Sequence, residues 1–136
     1  MAYALPNLLA GVRSFLAAHA VVTAVVAGRV YALRTPPSPA YPLVLLTDVT
    51  TDAMVGSTDK LASARIQVEC YGTDSHDEAA AHSLAVTCHS AFHDLEDEPG
   101  FTGFSDVAGL QPLPDRELGK ARYIFEIRVY GYTPHD

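Results

Sequence analysis

At 136 residues, with 49% apolar and 18% charged side chains, the chain has the size and composition of one globular domain spanning residues 1–136. A net charge of −7 argues against a protein that grips nucleic acid through its phosphates, which takes clustered Lys and Arg. The two cysteines, Cys70 and Cys88, fall in apolar periodic segments and read as small core residues rather than a disulfide framework.

Leu5, Leu8, Leu9, Val12, Phe15 and Leu16 recur at three- and four-residue steps and predict an amphipathic N-terminal helix, with Pro6 in its first turn. The apolar run Ser14–Gly28 behind Arg13 has a superficial signal-peptide look. The segment before Arg13 is uncharged and itself apolar, and His19 interrupts the run, so a core helix is the expectation. The run also falls short of the roughly 20 residues of a membrane span. A second short helix is expected over Ala20–Ala27, ended by Gly28 as its cap.

Arg29–Leu33 predicts a short strand, and Thr35–Pro42, with Pro36, Pro37, Pro39 and Pro42, an extended connector. Leu43–Val49 reads as a buried strand. The polar stretch Thr50–Ser63, with Gly56, predicts a long hairpin tip or loop, and Ala64–Tyr71 a half-buried strand. Thr73-Asp74-Ser75 opens the strongest helix, with Asp74 or Ser75 as its cap and capping-box spacing from Ser75 to Glu78. Ala81, Leu84, Cys88, Ala91 and Leu95 form its apolar stripe, and the helix is expected to run from Ser75 to Leu95, ending before Glu96-Asp97-Glu98. Gly103–Gln111 is a weaker strand that Pro112 and Pro114 mark as an edge.

The last predicted strand, Lys120–Tyr132, carries the clearest signal. Tyr123, Phe125, Ile127 and Val129 fall on one face and Arg122, Ile124, Glu126, Arg128 and Tyr130 on the other. The second face holds more apolar surface than a solvent-facing strand needs. The expected architecture is α+β: an antiparallel sheet of about four strands, with the N-terminal helix and the long helix packed on one face.

No catalytic motif emerges. Ser75-His76-Asp77 are neighbours in sequence, which does not build a triad and is better read as a helix start. Gly100-Phe101-Thr102-Gly103 has neither the lysine nor the following helix of a phosphate loop. His82, His89 and His93 fall within about 40° of one another on the long helix, and His89 and His93 have a spacing that can hold a divalent metal. The alternative is a solvated flank about 130° from the centre of the apolar stripe. Neither a cofactor nor bound metal is expected.

Several short motifs, taken in order, resemble one family. Val25-Val26-Ala27-Gly28-Arg29-Val30-Tyr31 is followed by Tyr41-Pro42-Leu43-Val44 and by Arg65-Ile66-Gln67-Val68-Glu69-Cys70-Tyr71-Gly72. Ser83-Leu84-Ala85 comes next, and the series ends with Arg128-Val129-Tyr130-Gly131-Tyr132. From about Leu8 to Tyr132 this order and spacing resemble the tail-completion, or tail-terminator, proteins of long-tailed bacteriophages. The resemblance implies a non-enzymatic α+β subunit that forms a ring, commonly a hexamer, at the head-proximal end of the virion tail after assembly in the host cytoplasm. The implied partners are further copies of the chain, the major tail-tube protein and the head connector or stopper, with DNA passing through unbound and no membrane involved. On that reading Arg122, Ile124, Arg128 and Tyr130 on the last strand are candidates for the subunit or tube interface, as are Asp52, Met54, Asp59 and Lys60 on the polar arm. Two other readings stay open: a head-side connector or stopper subunit, and a small metal- or ligand-binding domain that uses the His82, His89 and His93 face.

Overall fold

The alternating segments pair into a five-stranded sheet whose order is β1-β2-β3-β5-β4, seen in a computed structural model that describes residues 7–53 and 61–132. The strands are β1 (Val30–Ala32), β2 (Leu43–Ala53), β3 (Leu61–Tyr71), β4 (Phe101–Pro112) and β5 (Arg122–Tyr132). Four of them pair antiparallel. The short β1 lies parallel to β2, with Val30 opposite Val44, so the sheet has one strand more than the expected four and one parallel edge. The central strand is β3, and β5 is second from the edge, between β3 and β4.

Three helices cover one face: α1 (Leu8–Ala18), α2 (Ala20–Val26) and α3 (Glu78–Ala91), with a 3-10 helix over Phe92–Asp97. The predicted stripes are the buried ones. Leu8, Leu9, Val12, Phe15 and Leu16 of α1 join Ala81, Leu84, Ala85, Cys88 and Ala91 of α3 over Ile66, Val68, Phe125, Ile127 and Val129 of the sheet. Phe92 lies against Phe15, Phe104 and Phe125, so the aromatic centre of the core sits under the end of α3. Cys70 of β3 and Cys88 of α3 lie side by side within it, both free and fully buried, and burial, with Cys88 adding to it, pushes the Cys70 thiol well up. Gly131 lets the backbone of Gly100 and the Leu8 side chain close on β5, since a Cβ there would stand 2.5 Å from each.

The element boundaries depart from the sequence reading most in the β2–β3 hairpin and at the ends of α2 and α3. The hairpin ladder continues through Ala53 and resumes at Leu61, so both ends of the predicted loop Thr50–Ser63 are strand, and Met54, Gly56, Asp59 and Lys60 lie outside the described residues, as do Leu5 and Pro6. A bulge between Asp48 and Thr50 turns Val49 outward. Helix α2 ends one residue early, Ala27 rather than Gly28 taking the left-handed cap (φ 51°), with Gly28 following at φ 81°. Neither Ser75 nor Asp74 caps α3. Asp77 holds that position, and its carboxylate turns back to accept from the Thr73 amide and hydroxyl (3.2 and 2.6 Å). Those bonds hold the Asp77 carboxyl below its ordinary range. At its far end the helix tightens into the 3-10 turn instead of running as α-helix to Leu95.

The short motifs have structural reasons. The Arg29 carbonyl accepts from the Val44 amide (3.0 Å), and Arg29 Nε donates to the Pro42 carbonyl (2.9 Å), so Gly28–Tyr31 and Tyr41–Val44 are clasped as the parallel edge. Arg13 Nε donates to the Val30 carbonyl (3.0 Å) and ties α1 to that edge. Among the described residues no single helix is long and apolar enough to cross a membrane. Together α1 and α2 would suffice, but they are bent by 79° and their apolar faces lie in the core.

Candidate functional site

Among the described residues helices lie on one side of the sheet only, and the other side presents rows of side chains fixed by the strand register. From β2 to β4, successive rows are Leu43–Tyr71–Arg122, Leu45–Glu69–Ile124–Gln111, Thr47–Gln67–Glu126–Ala108, Thr50–Arg65–Arg128–Ser105 and Asp52–Ser63–Tyr130–Gly103. Arg122, Ile124, Glu126, Arg128 and Tyr130 are each half-buried, as the alternation of β5 predicts. The structure therefore brings together five of the eight predicted interface residues: Arg122, Ile124, Arg128 and Tyr130 on β5, and the exposed Asp52 in the row of Tyr130. Met54, Asp59 and Lys60 lie outside the described residues.

One end of this face is closed. Arg122 Nη1 donates to Glu69 Oε1 (2.7 Å) and the Tyr71 hydroxyl (3.2 Å), its Nε donates to the Leu113 carbonyl (2.8 Å), and Asp115 stands 3.7 Å away. Tyr41 packs edge-on against Tyr71, and Lys120 lies over the Tyr41 ring. With Glu69 only 7% exposed, burial pushes its carboxyl above the usual range although Arg122 pulls the other way. Burial and the Glu69 charge push the Tyr71 hydroxyl up to about 12. Arg122 is thus committed to the chain's own packing.

The rest of the face is open and differently balanced. Arg65 Nη2 donates to Glu126 Oε2 at 2.6 Å, while Arg128 Nη1 reaches the Ser63 hydroxyl at 3.2 Å. A small depression of about 150 Å³ beside Ile124 is lined by Gln67, Ala108, Gln111 and Glu126. Sequence reading missed the partners Glu69, Asp115, Ser63 and Arg65. The polar half of the alternation in β3 was a signal for Ser63, Arg65 and Glu69; nothing local marks Asp115.

His82 and His93 are exposed, as a solvated flank would have them, and only His89 departs from that expectation. His89 Nε2 lies 2.6 Å from Asp106 Oδ1 of β4, and its ring meets Phe125 and Phe104 edge-on. His82 stands edge-on to Tyr123 and His93 to Phe104. The β4–β5 side of the sheet reaches under His89 and half-buries it, while His82 and His93 stay in solvent. Among the described residues no three His, Cys, Asp or Glu side chains gather as a metal site would need.

Among the described residues a helix layer fills one face of the sheet, and the opposite face is half-buried, polar and aromatic. The sequence pattern of the family described as Tail completion protein gp17 matches residues 10–130, and the chain belongs to that family. It is a structural tail-completion protein of the phage virion. A chain in the solved structure titled "Virion of native gene transfer agent (GTA) particle" superposes with a TM-score of 0.55 at 16% identity, over 94% of this chain and 100% of that one; what it shares is the fold. No individually curated protein matches the chain.

Proposed function

We propose that this protein is a ring-forming tail terminator: copies of the chain, as a single domain, close a ring of six that caps the tail tube and joins it to the head connector. The observation that supports this most directly is the bare sheet face, where Ile124, Arg128 and Tyr130 are half-buried with no helix over them among the described residues. Tyr and Arg are residues enriched where subunits meet. Asp52, in the row of Tyr130, together with Met54, Asp59 and Lys60 of the connecting segment, is assigned to the contact with a neighbour or the tube. The chain acts by position rather than catalysis, at the head-proximal end of the tail. Its net charge of −7 lets DNA pass the ring without adhering.

Electron microscopy of the purified protein, alone and with the tail-tube protein, tests this. Rings with a central pore, seated on tube ends, are expected. A species that stays monomeric in native mass spectrometry at high concentration, with no ring when tube protein is added, overturns the proposal.

A further inference from the structure

Two arginines sit directly opposite each other on the bare face, Arg65 on β3 and Arg128 on β5. Like charges in that position oppose strand pairing. The one carboxylate that eases the strain, Glu126, is taken by Arg65 at 2.6 Å. Among the described residues Arg128 forms no ion pair and has only the neutral Ser63 hydroxyl, and Arg65 Nε finds no acceptor. In a chain of net charge −7, this row is short of anions.

The opposite shortage lies elsewhere on the molecule. Glu96, Asp97 and Glu98 are consecutive, exposed, and without an ion pair among the described residues. They stand at the C-terminal end of the 3-10 helix, where backbone carbonyls already supply negative charge. Other acids are engaged within the chain: Glu69 with Arg122, Asp94 with His19, Asp106 with His89. The corner is also held in place. Phe92 and Leu95 are buried beneath it, the Glu98 amide donates to the Leu95 carbonyl (3.0 Å) and the Phe101 amide to the Glu98 carbonyl (3.1 Å).

We infer that Arg128, with Arg65 beside it, receives the acidic corner Glu96-Asp97-Glu98 of a neighbouring copy of this chain. Arginine's planar fork suits a carboxylate, and each patch supplies what the other lacks. The corner belongs to the helix layer and the arginines to the opposite face of the sheet, so the two meet between copies rather than within one. Such a contact is head-to-tail, the kind that closes a ring when its rotation allows. The inference rests on the ring reading and names the contact that builds the ring.

The test is the concentration at which the full-length protein assembles, read by mass photometry, with circular dichroism to check that each variant is folded. Arg128→Glu is expected to raise the half-assembly concentration on the order of tenfold or more, as loss of a close interfacial charge pair does. Arg128→Gln should shift it the same way by less. The triple change Glu96→Lys, Asp97→Lys, Glu98→Lys should weaken assembly alone and restore it when combined with Arg128→Glu. Raising salt from about 0.05 to about 0.5 M should weaken the wild-type ring and leave the uncharged variant less sensitive. A wild-type ring indifferent to both reversals, or no rescue in the combination, overturns this contact alone. A ring that stays intact but loses hold of DNA or of the tail tube also overturns it, assigning the arginines to that partner. Failure of the wild type to form any ring overturns the ring reading as well.

Discussion

The two faces of the sheet are built from alternate residues of the same strands, and they are stabilised in different ways. On the covered face Ile66, Val68, Phe125, Ile127 and Val129 are all but inaccessible and gain from leaving water. On the bare face Arg65, Arg122, Glu126 and Arg128 bond sideways along the sheet, to one another's neighbours, rather than upward into a second layer. Folding draws mainly on the odd-numbered positions of β5, and the even-numbered ones beyond Arg122 carry the proposed contact surface. A one-residue slip of β5 would exchange the two sets, so the apolar positions that fix the core also fix which side chains are displayed.

Variants on either side can break or sharpen this contrast. Phe125→Ala on the covered face should have the largest effect, a loss of about 3–5 kcal/mol in denaturant unfolding, because it removes a fully buried ring packed against Phe92. Arg122→Ala, at the closed end of the bare face, should cost about 2–3 kcal/mol. It strands the nearly buried Glu69, and the cost stays below that of a fully buried pair because Arg122 is 17% exposed. A loss under about 0.5 kcal/mol would show that this end contributes no more than ordinary surface. Ile124→Asp, in the open part, should change monomer stability by less than about 1 kcal/mol and yet abolish the ring. If it unfolds the monomer instead, the bare face belongs to the core.

The smallest expected effect concerns pH. The Glu69 carboxyl is raised in the folded state, so as pH falls from neutral toward its unfolded value near 4.5 the folded protein binds that proton first. This residue's contribution is therefore fully present below the unfolded pKa and lost as pH rises through the folded one. Compared with Glu69→Gln, the wild type should gain stability on mild acidification, measured by denaturant midpoints from pH 7 to pH 4.5. Equal slopes in the two proteins would contradict the shift.

Much of the covered face was legible in the sequence because burial writes a period into it. The stripe of α3 and the alternation of β5 needed no tertiary knowledge. The outer half of the β2–β3 hairpin was not legible for the converse reason: Thr50, Asp52 and Ser63 pair correctly but face away from the core, and the polar composition reads as loop. The capping box at Ser75 and Glu78 failed because contacts from far along the chain set that turn. The Ala121 amide donates to the Asp74 carbonyl (2.8 Å), and the Gly72 amide to the Ala121 carbonyl (2.9 Å). The Arg122–Glu69 pair spans 53 residues and becomes visible only once register is known. His89 needed the position of β4. The candidate face itself was half legible: Ile124 and Tyr130 betrayed it, while the shortage of carboxylates around Arg128 emerged only from the cross-strand pairing.

The two thiols at the junction of α3 and β3 give the helix layer a chemical clock. A thiol reacts as its thiolate and when reagent can reach it, and Cys70 and Cys88 are denied access while burial also opposes ionisation of Cys70. Alkylation under native conditions then requires an opening that exposes them, and comparing its rate with that of global unfolding tells whether α3 lifts from the sheet on its own. The same measurement on assembled protein reports whether joining a neighbour through the far side of the sheet quiets the helices on the near side.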